Sequence, residues 1–146
     1  MTSPESTVQR LRAAIIDGRT ANVRYRQKEL QALHTALIEN ADALATAISQ
    51  DTGATSAEVE AELFLTTDCL RHAYDSLDFG KELKEEFLVS NGEDNTGRRI
   101  GVGLVAIRPT FHTRLFSVLS PICGAIAAGN CVLLEVSIYL HCLNSY

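Results

Sequence analysis

The chain has 146 residues, 46% of them hydrophobic and 21% charged, with a formal net charge of -5. That length sustains one domain with its own core, and the composition excludes disordered and fibrous classes. The basic residues are scattered along the chain and form no single stripe, so the electrostatic footprint of a nucleic-acid binder is missing.

The first residues, Met1 to Ser6, are polar and acidic and lack the apolar core of a secretory signal, which makes a cytoplasmic location the expectation. Ser3 followed by Pro4 has the form of an N-cap with proline in the first helical turn. Val8, Leu11 and Ile15 then recur at helical spacing up to Gly18. From Asn22 the pattern restarts, with Leu30, Leu33, Leu37, Ala41, Leu44 and Ile48 on one face, which predicts a long helix kinked at Asn40. Asp51-Thr-Gly53 ends it. Thr55-Ser-Ala-Glu58 has the capping-box form, and Val59, Leu63, Leu70, Tyr74 and Leu77 carry a third helix to about Gly80. The charged run Lys81 to Glu86 reads as a solvated extension of that helix, and Asn91 to Gly97 as a loop.

Composition then changes. Arg98 to Pro109 is rich in β-branched and apolar residues between glycine and proline, and predicts a buried strand. Leu115, Leu119, Ile122 and Ile126 return to helical spacing, and Cys131 to Leu134 form a second short apolar run. The expected fold class is therefore α/β: a helical segment over 1–97, then over 98–135 the first strand, helix and strand of an incomplete Rossmann-like parallel sheet. Two such strands leave sheet edges and apolar faces open, which predicts partner-seeking behaviour.

Several residues invite a functional reading. Gly101-x-Gly103 precedes a strand and lacks the third glycine and following helix of a dinucleotide fingerprint, so it reads as a structural turn. His112 between Arg108 and Arg114 has the makings of an anion-binding turn at a helix start, although exposed basic residues are more often plain surface. Cys69 and His72 stand one turn apart without a second ligand pair, and none of the four cysteines forms a C-x-x-C motif. No metal site is expected, and buried reduced thiols are. The most apolar stretch, Val118 to Leu134, is interrupted by Pro121, Gly124, Gly129 and Asn130, so it reads as core and predicts no membrane span.

Gly124-Ala-Ile-Ala-Ala-Gly-Asn-Cys-Val-Leu-Leu134, with the upstream strand ending in Ile107-Arg-Pro109 and the helical pattern Tyr25-Arg-x-x-x-Leu30, resembles the N-terminal part of an aldehyde dehydrogenase of the class 3 or fatty-aldehyde type. The resemblance covers most of Val8 to Leu134. It implies NAD- or NADP-dependent oxidation of an aldehyde to a carboxylic acid: a cysteine thiolate attacks the carbonyl, hydride passes to the nicotinamide, and a glutamate-activated water releases the acid. It also implies that the nucleophile, the general base and the glycine-rich cofactor turn lie outside the segment matched, so no residue here is assigned a catalytic role.

The matched positions themselves depart from the family. Where it has Pro-Trp-Asn, this chain has Pro109-Thr-Phe111, and a phenyl ring cannot donate the hydrogen bond that an asparagine gives an oxyanion. Where it has Lys-Pro-Ser-Glu, this chain has Glu135-Val-Ser-Ile138. The implied cofactor positions reduce to a vestigial set, Ile107, Pro109 and Glu135. The tail over 136–146 resembles nothing in the family, and Val136-Ser137 is compatible with an intron-donor consensus, so a translated intron or gene-model error is the expectation there. Sequencing of the spliced transcript tests it; reads that run in frame to the same stop overturn it. The function expected is that of a truncated or degenerate aldehyde dehydrogenase-like protein, inactive alone. The alternative is a non-catalytic fragment that docks on a full-length dehydrogenase, or self-associates.

Overall fold

The computed structural model describes residues 4–110 and 112–135. Ser3 as a cap, Phe111 at the asparagine position and the tail over 136–146 with Cys142 lie outside the described residues.

Helix α1 (Pro4–Ile16) ends at Gly18, whose φ of 70° is the left-handed conformation that glycine adopts without penalty. A single 3-10 turn leads to Asn22, whose side chain accepts from the Arg24 amide at 2.8 Å and starts α2 (Val23–Glu39). The expected kink at Asn40 is a complete break. Asn40 closes α2 and opens α3 (Ala41–Thr52), because its side-chain amide donates to the Ala36 carbonyl and competes with the helix ladder.

The capping box is present as read. Thr55 accepts from the Glu58 amide, and the Glu58 carboxylate accepts from the Thr55 amide at 2.8 Å and its hydroxyl at 2.9 Å, opening α4 (Ser56–Asp75). Contrary to expectation, α4 stops at Asp75. Asp78 accepts from the Gly80 and Lys81 amides at 2.8 and 3.1 Å, so the charged run belongs to a separately capped helix, α5 (Phe79–Glu86).

The two strands are short. β1 (Leu104–Ile107) and β2 (Cys131–Leu134) pair in parallel, in the register Leu104 opposite Cys131 and Ile107 opposite Leu134, with α6 (Arg114–Ala127) as the crossover. Of the strand expected from Arg98 to Pro109, only Leu104–Ile107 is extended and paired. Gly103 has a φ of 102°, which interrupts extended backbone, and the ladder is bounded by Cys131 donating to Gly103 and Glu135 donating to Ile107. Ile100 and Val102, expected to be buried, are 78% and 83% exposed.

The core joins the two parts of the chain. Val23, Leu30 and Leu37 of α2, Leu70 of α4, Leu77 of the α4–α5 connection, and Cys123 of α6 form one buried cluster, flanked by Leu33, Leu44, Leu119 and Ile126. Helix α1 packs on the strands, while α4 and α6 are closely associated. The α/β class expected from the sequence is observed. Among the described residues no helix is long and apolar enough to cross a membrane.

Candidate functional site

In a parallel α/β sheet ligands meet the carboxyl ends of the strands. Here that edge consists of Ile107 to Thr110 after β1 and Glu135 after β2, with the start of α6 beside it. The structure brings Ile107 and Glu135 together: the Glu135 amide donates to the Ile107 carbonyl at 2.9 Å. Ile107 is buried, Pro109 half-buried and Glu135 exposed. Only the Glu135 carboxylate is thus a free-facing acceptor suited to a ribose hydroxyl. The glycines of this region, Gly101, Gly103 and Gly129, sit at the opposite, amino edge, so among the described residues no glycine-rich phosphate cradle adjoins Glu135. Among the described residues of this edge, the fit extends to a ribose contact and not to the phosphates of a dinucleotide.

The amino end of α6 is held from α4. Glu62 is 7% exposed, and its Oε1 accepts from the Leu115 amide at 2.8 Å and the Phe116 amide at 3.1 Å. A carboxylate at this position answers both the unpaired first-turn N–H groups and the positive end of the helix dipole. The residue before the helix, Thr113, has φ 46° and ψ 59°, a left-handed conformation unusual for a β-branched residue, and its side chain makes no cap. Glu62 supplies what Thr113 does not. These residues line a cleft of about 630 Å³ with Glu58, Leu65 and His112.

His112 is exposed, Arg114 pairs with Asp51 at 3.0 Å, and the α6 amides that would receive an anion already bind Glu62. The site is filled by the chain's own carboxylate.

The carboxyl end of α6 is held from α2. Arg26, only 6% exposed, donates through Nη1 to the Ala127 carbonyl at 2.6 Å and through Nη2 to the Ala21 carbonyl at 3.2 Å, and pairs with Glu82 at 3.0 Å. One member of the charged run over 81–86 is therefore an ion-pair partner of a buried residue. Asn130 completes the turn, accepting from the Gly103 amide at 3.0 Å and donating to the Ala125 carbonyl at 3.3 Å. Gly101 is required by close approach, since a Cβ there would stand 2.5 Å from the Gly129 carbonyl oxygen. The Gly101-x-Gly103 pair is a structural turn, as its position implied.

The three described cysteines are free thiols. Cys131 is buried at the start of β2, at the edge away from Glu135. Cys123 is buried within α6, where burial first and Cys69 second push its thiol up to about 11. Cys69 donates to the Ser120 hydroxyl at 3.4 Å, while His72 turns to Asp68, so the two do not converge on a common point. Among the described residues no group of three or more His, Cys, Asp or Glu side chains is placed to hold a metal ion.

Sequence reasoning missed Glu62 and gave Arg26 no role. The signal for Glu62 was available: it lies three residues after Val59 and four before Thr66, a charge at a core position of α4.

The aldehyde dehydrogenase family model matches residues 5–139. The chain is 33% identical over 134 residues to aldehyde dehydrogenase family 3 member B1 of Bos taurus, which covers 90% of this chain and 29% of that relative. It is 33% identical over 136 residues to the Homo sapiens member B1, covering 90% and 29%. Aldehyde dehydrogenase family 3 member F1 of Arabidopsis thaliana is 29% identical over 136 residues, covering 91% and 28%. The chain thus spans less than a third of the length of the curated relatives it matches. No solved structure matches it significantly.

Proposed function

The chain belongs to the aldehyde dehydrogenase family of oxidoreductases, among its class-3-like members, and from that premise we propose that it supplies scaffold to an NAD(P)-dependent aldehyde-oxidising fold without catalysing the reaction itself. The observation that carries this reading is the placement of the thiols. The reaction needs an accessible, ionisable thiol at the carboxyl edge of the sheet. Among the described residues, Cys123 is buried with a thiol held far above neutrality, Cys131 is buried at the other edge, and Cys69 packs against Ser120. Glu135, with Ile107 and Pro109 beside it, retains one rim of a nicotinamide-dinucleotide site, a ribose contact that binds weakly in isolation.

NAD+ and NADP+ titrations by calorimetry, followed by an aldehyde oxidation assay, test the proposal. Neither saturable micromolar binding nor reduced nicotinamide is expected; turnover by the purified chain contradicts it. A second reading, docking on a full-length dehydrogenase or on another copy, is favoured by the exposed apolar side chains Phe64, Phe87, Ile100 and Val102, each more than half exposed. Co-purification with a tagged full-length relative distinguishes the two readings. Recovery of a stoichiometric complex supports docking, and its absence leaves the scaffold reading alone.

A further inference from the structure

Cys69 and Cys123 are nucleophilic groups for which the proposed function has no use, and they meet where α4 and α6 pack. The Cys69 thiol leaves its own helix to donate to the Ser120 hydroxyl of α6 at 3.4 Å. Cys123 follows Ser120 by three residues and so lies on the same face of α6, one turn along. Thr66, Cys69 and Ala73 on α4 and Ser120, Cys123 and Ala127 on α6 recur at spacings of three and four, and Ala73 and Ala127 pack against the buried cluster that contains Cys123. Exposure differs between the two thiols: Cys69 is half-buried, whereas Cys123 is entirely enclosed.

We infer that Cys69 and Cys123 form a redox-responsive dithiol site that an oxidant of the hydroperoxide class converts to an intramolecular disulfide clamping α4 to α6. Cys69 is the attacking thiol because solvent reaches it. Its sulfur, on losing its proton, attacks the peroxide oxygen. The O–O bond breaks, the alcohol or water departs with that proton, and Cys69 becomes a sulfenic acid. The Cys123 sulfur then attacks the Cys69 sulfur. The S–O bond breaks, the hydroxyl leaves as water with the Cys123 proton, and the S–S bond remains. Two thiols are oxidised together by one hydroperoxide, which is reduced. The Cys69 contribution to the raised Cys123 thiol is a second sign that the two sulfurs are near each other. Enclosure of Cys123 makes the second step the slower one, so the sulfenic acid accumulates briefly. The proposal is independent of any aldehyde or nicotinamide chemistry.

The test treats the purified full chain with hydrogen peroxide, quenches with an alkylating reagent, and maps tryptic peptides by mass. The expected result is one cross-linked species joining the Cys69 and Cys123 peptides, lighter by two hydrogens, reversed by dithiothreitol, and accompanied by a higher urea midpoint. Cys69→Ser and Cys123→Ala each abolish it, and Cys131→Ser leaves it intact. The proposal is overturned if Cys69 proceeds to sulfinic or sulfonic acid while Cys123 remains alkylatable. A bridge to Cys131 or Cys142, a bridge between two copies, or two thiols that stay free overturns it equally. The wild-type map decides among these outcomes whether or not every variant folds.

Discussion

The two ends of α6 are fastened by different chemistry. At the carboxyl end, contacts from separate segments overlap: Arg26 binds the Ala127 carbonyl, Asn130 bridges Ala125 and Gly103, and Gly101 lies against Gly129. At the amino end, a single buried carboxylate, Glu62, receives the amides of Leu115 and Phe116, and the side chain of Thr113 in the cap position makes no cap. The redundant end sets the register of β2. The end whose first amides rest on one carboxylate, with the exposed Arg114–Asp51 pair beside it, faces the carboxyl edge, where Glu135 stands and where a ligand would bind. One fastening at each end, Arg26 and Glu62, comes from the N-terminal helices, which is why those helices and the strand unit share one core instead of forming two.

Substitutions rank the two ends. Arg26→Ala is expected to have the largest effect, a loss of about 3 kcal/mol, because it takes the buried guanidinium away from the Ala127 and Ala21 carbonyls and the Glu82 carboxylate and leaves a cavity between α2 and α6. Urea denaturation reads it, and a loss under about 1 kcal/mol would show that Asn130 and the glycine contact hold the carboxyl end without help. Glu62→Ala should cost about 2 kcal/mol, the price of two helix amides left without an acceptor in a semi-enclosed place. Glu62→Gln keeps the acceptor oxygen and should recover at least half of that loss; equal losses in the two variants would mean that charge, and not acceptor geometry, is what α6 requires.

Gly101→Ala comes next, at about 1–2 kcal/mol, since its methyl meets the Gly129 carbonyl and must push β1's lead-in away from the turn. Its signature should be local, with faster amide exchange at Gly103 and Cys131 and little change at Leu115. The smallest effect is expected far from both ends. Thr55→Ala removes the α4 cap at a cost of about 1 kcal/mol. Its pH dependence is distinctive. The Thr55 amide, and then its hydroxyl, lower the Glu58 carboxyl below its ordinary value of 4.5 in the folded chain. The stabilisation is therefore complete above that value and is lost as pH falls through the lower folded one. A carboxyl titration followed by NMR should show Glu58 returning toward its ordinary value in Thr55→Ala, and an unchanged titration would contradict the cap.

These contrasts also explain which features could be read before any coordinates. The Thr55–Glu58 cap and the helix ends at Gly18 and Gly53 follow from chemistry within a few residues, the parallel pairing of the two apolar runs follows from the helical pattern between them, and each is in place. The break at Asn40 was visible as a kink, because a side chain that competes with the helix ladder announces itself locally. The end of α4 was misplaced because the Leu77 periodicity continues through Asp78, which caps a new helix. The strand was drawn too long because Ile100 and Val102 have strand chemistry but face no partner strand. Of the residues proposed for the cofactor edge, Ile107 and Glu135 adjoin by backbone pairing. The partnerships of Glu62 with α6, separated by more than fifty residues, and of Cys69 with Ser120 have no local trace beyond a charge or a thiol on a helix face.

The most direct test of the scaffold reading is aldehyde-dependent reduction of NAD+ or NADP+ by the purified chain of 146 residues, followed at the absorbance of reduced nicotinamide over a range of aldehyde chain lengths. The account predicts a rate indistinguishable from buffer for every aldehyde, in a preparation whose circular dichroism shows the folded helices. Turnover that follows the chain through purification and disappears on substitution of one of its cysteines would contradict it.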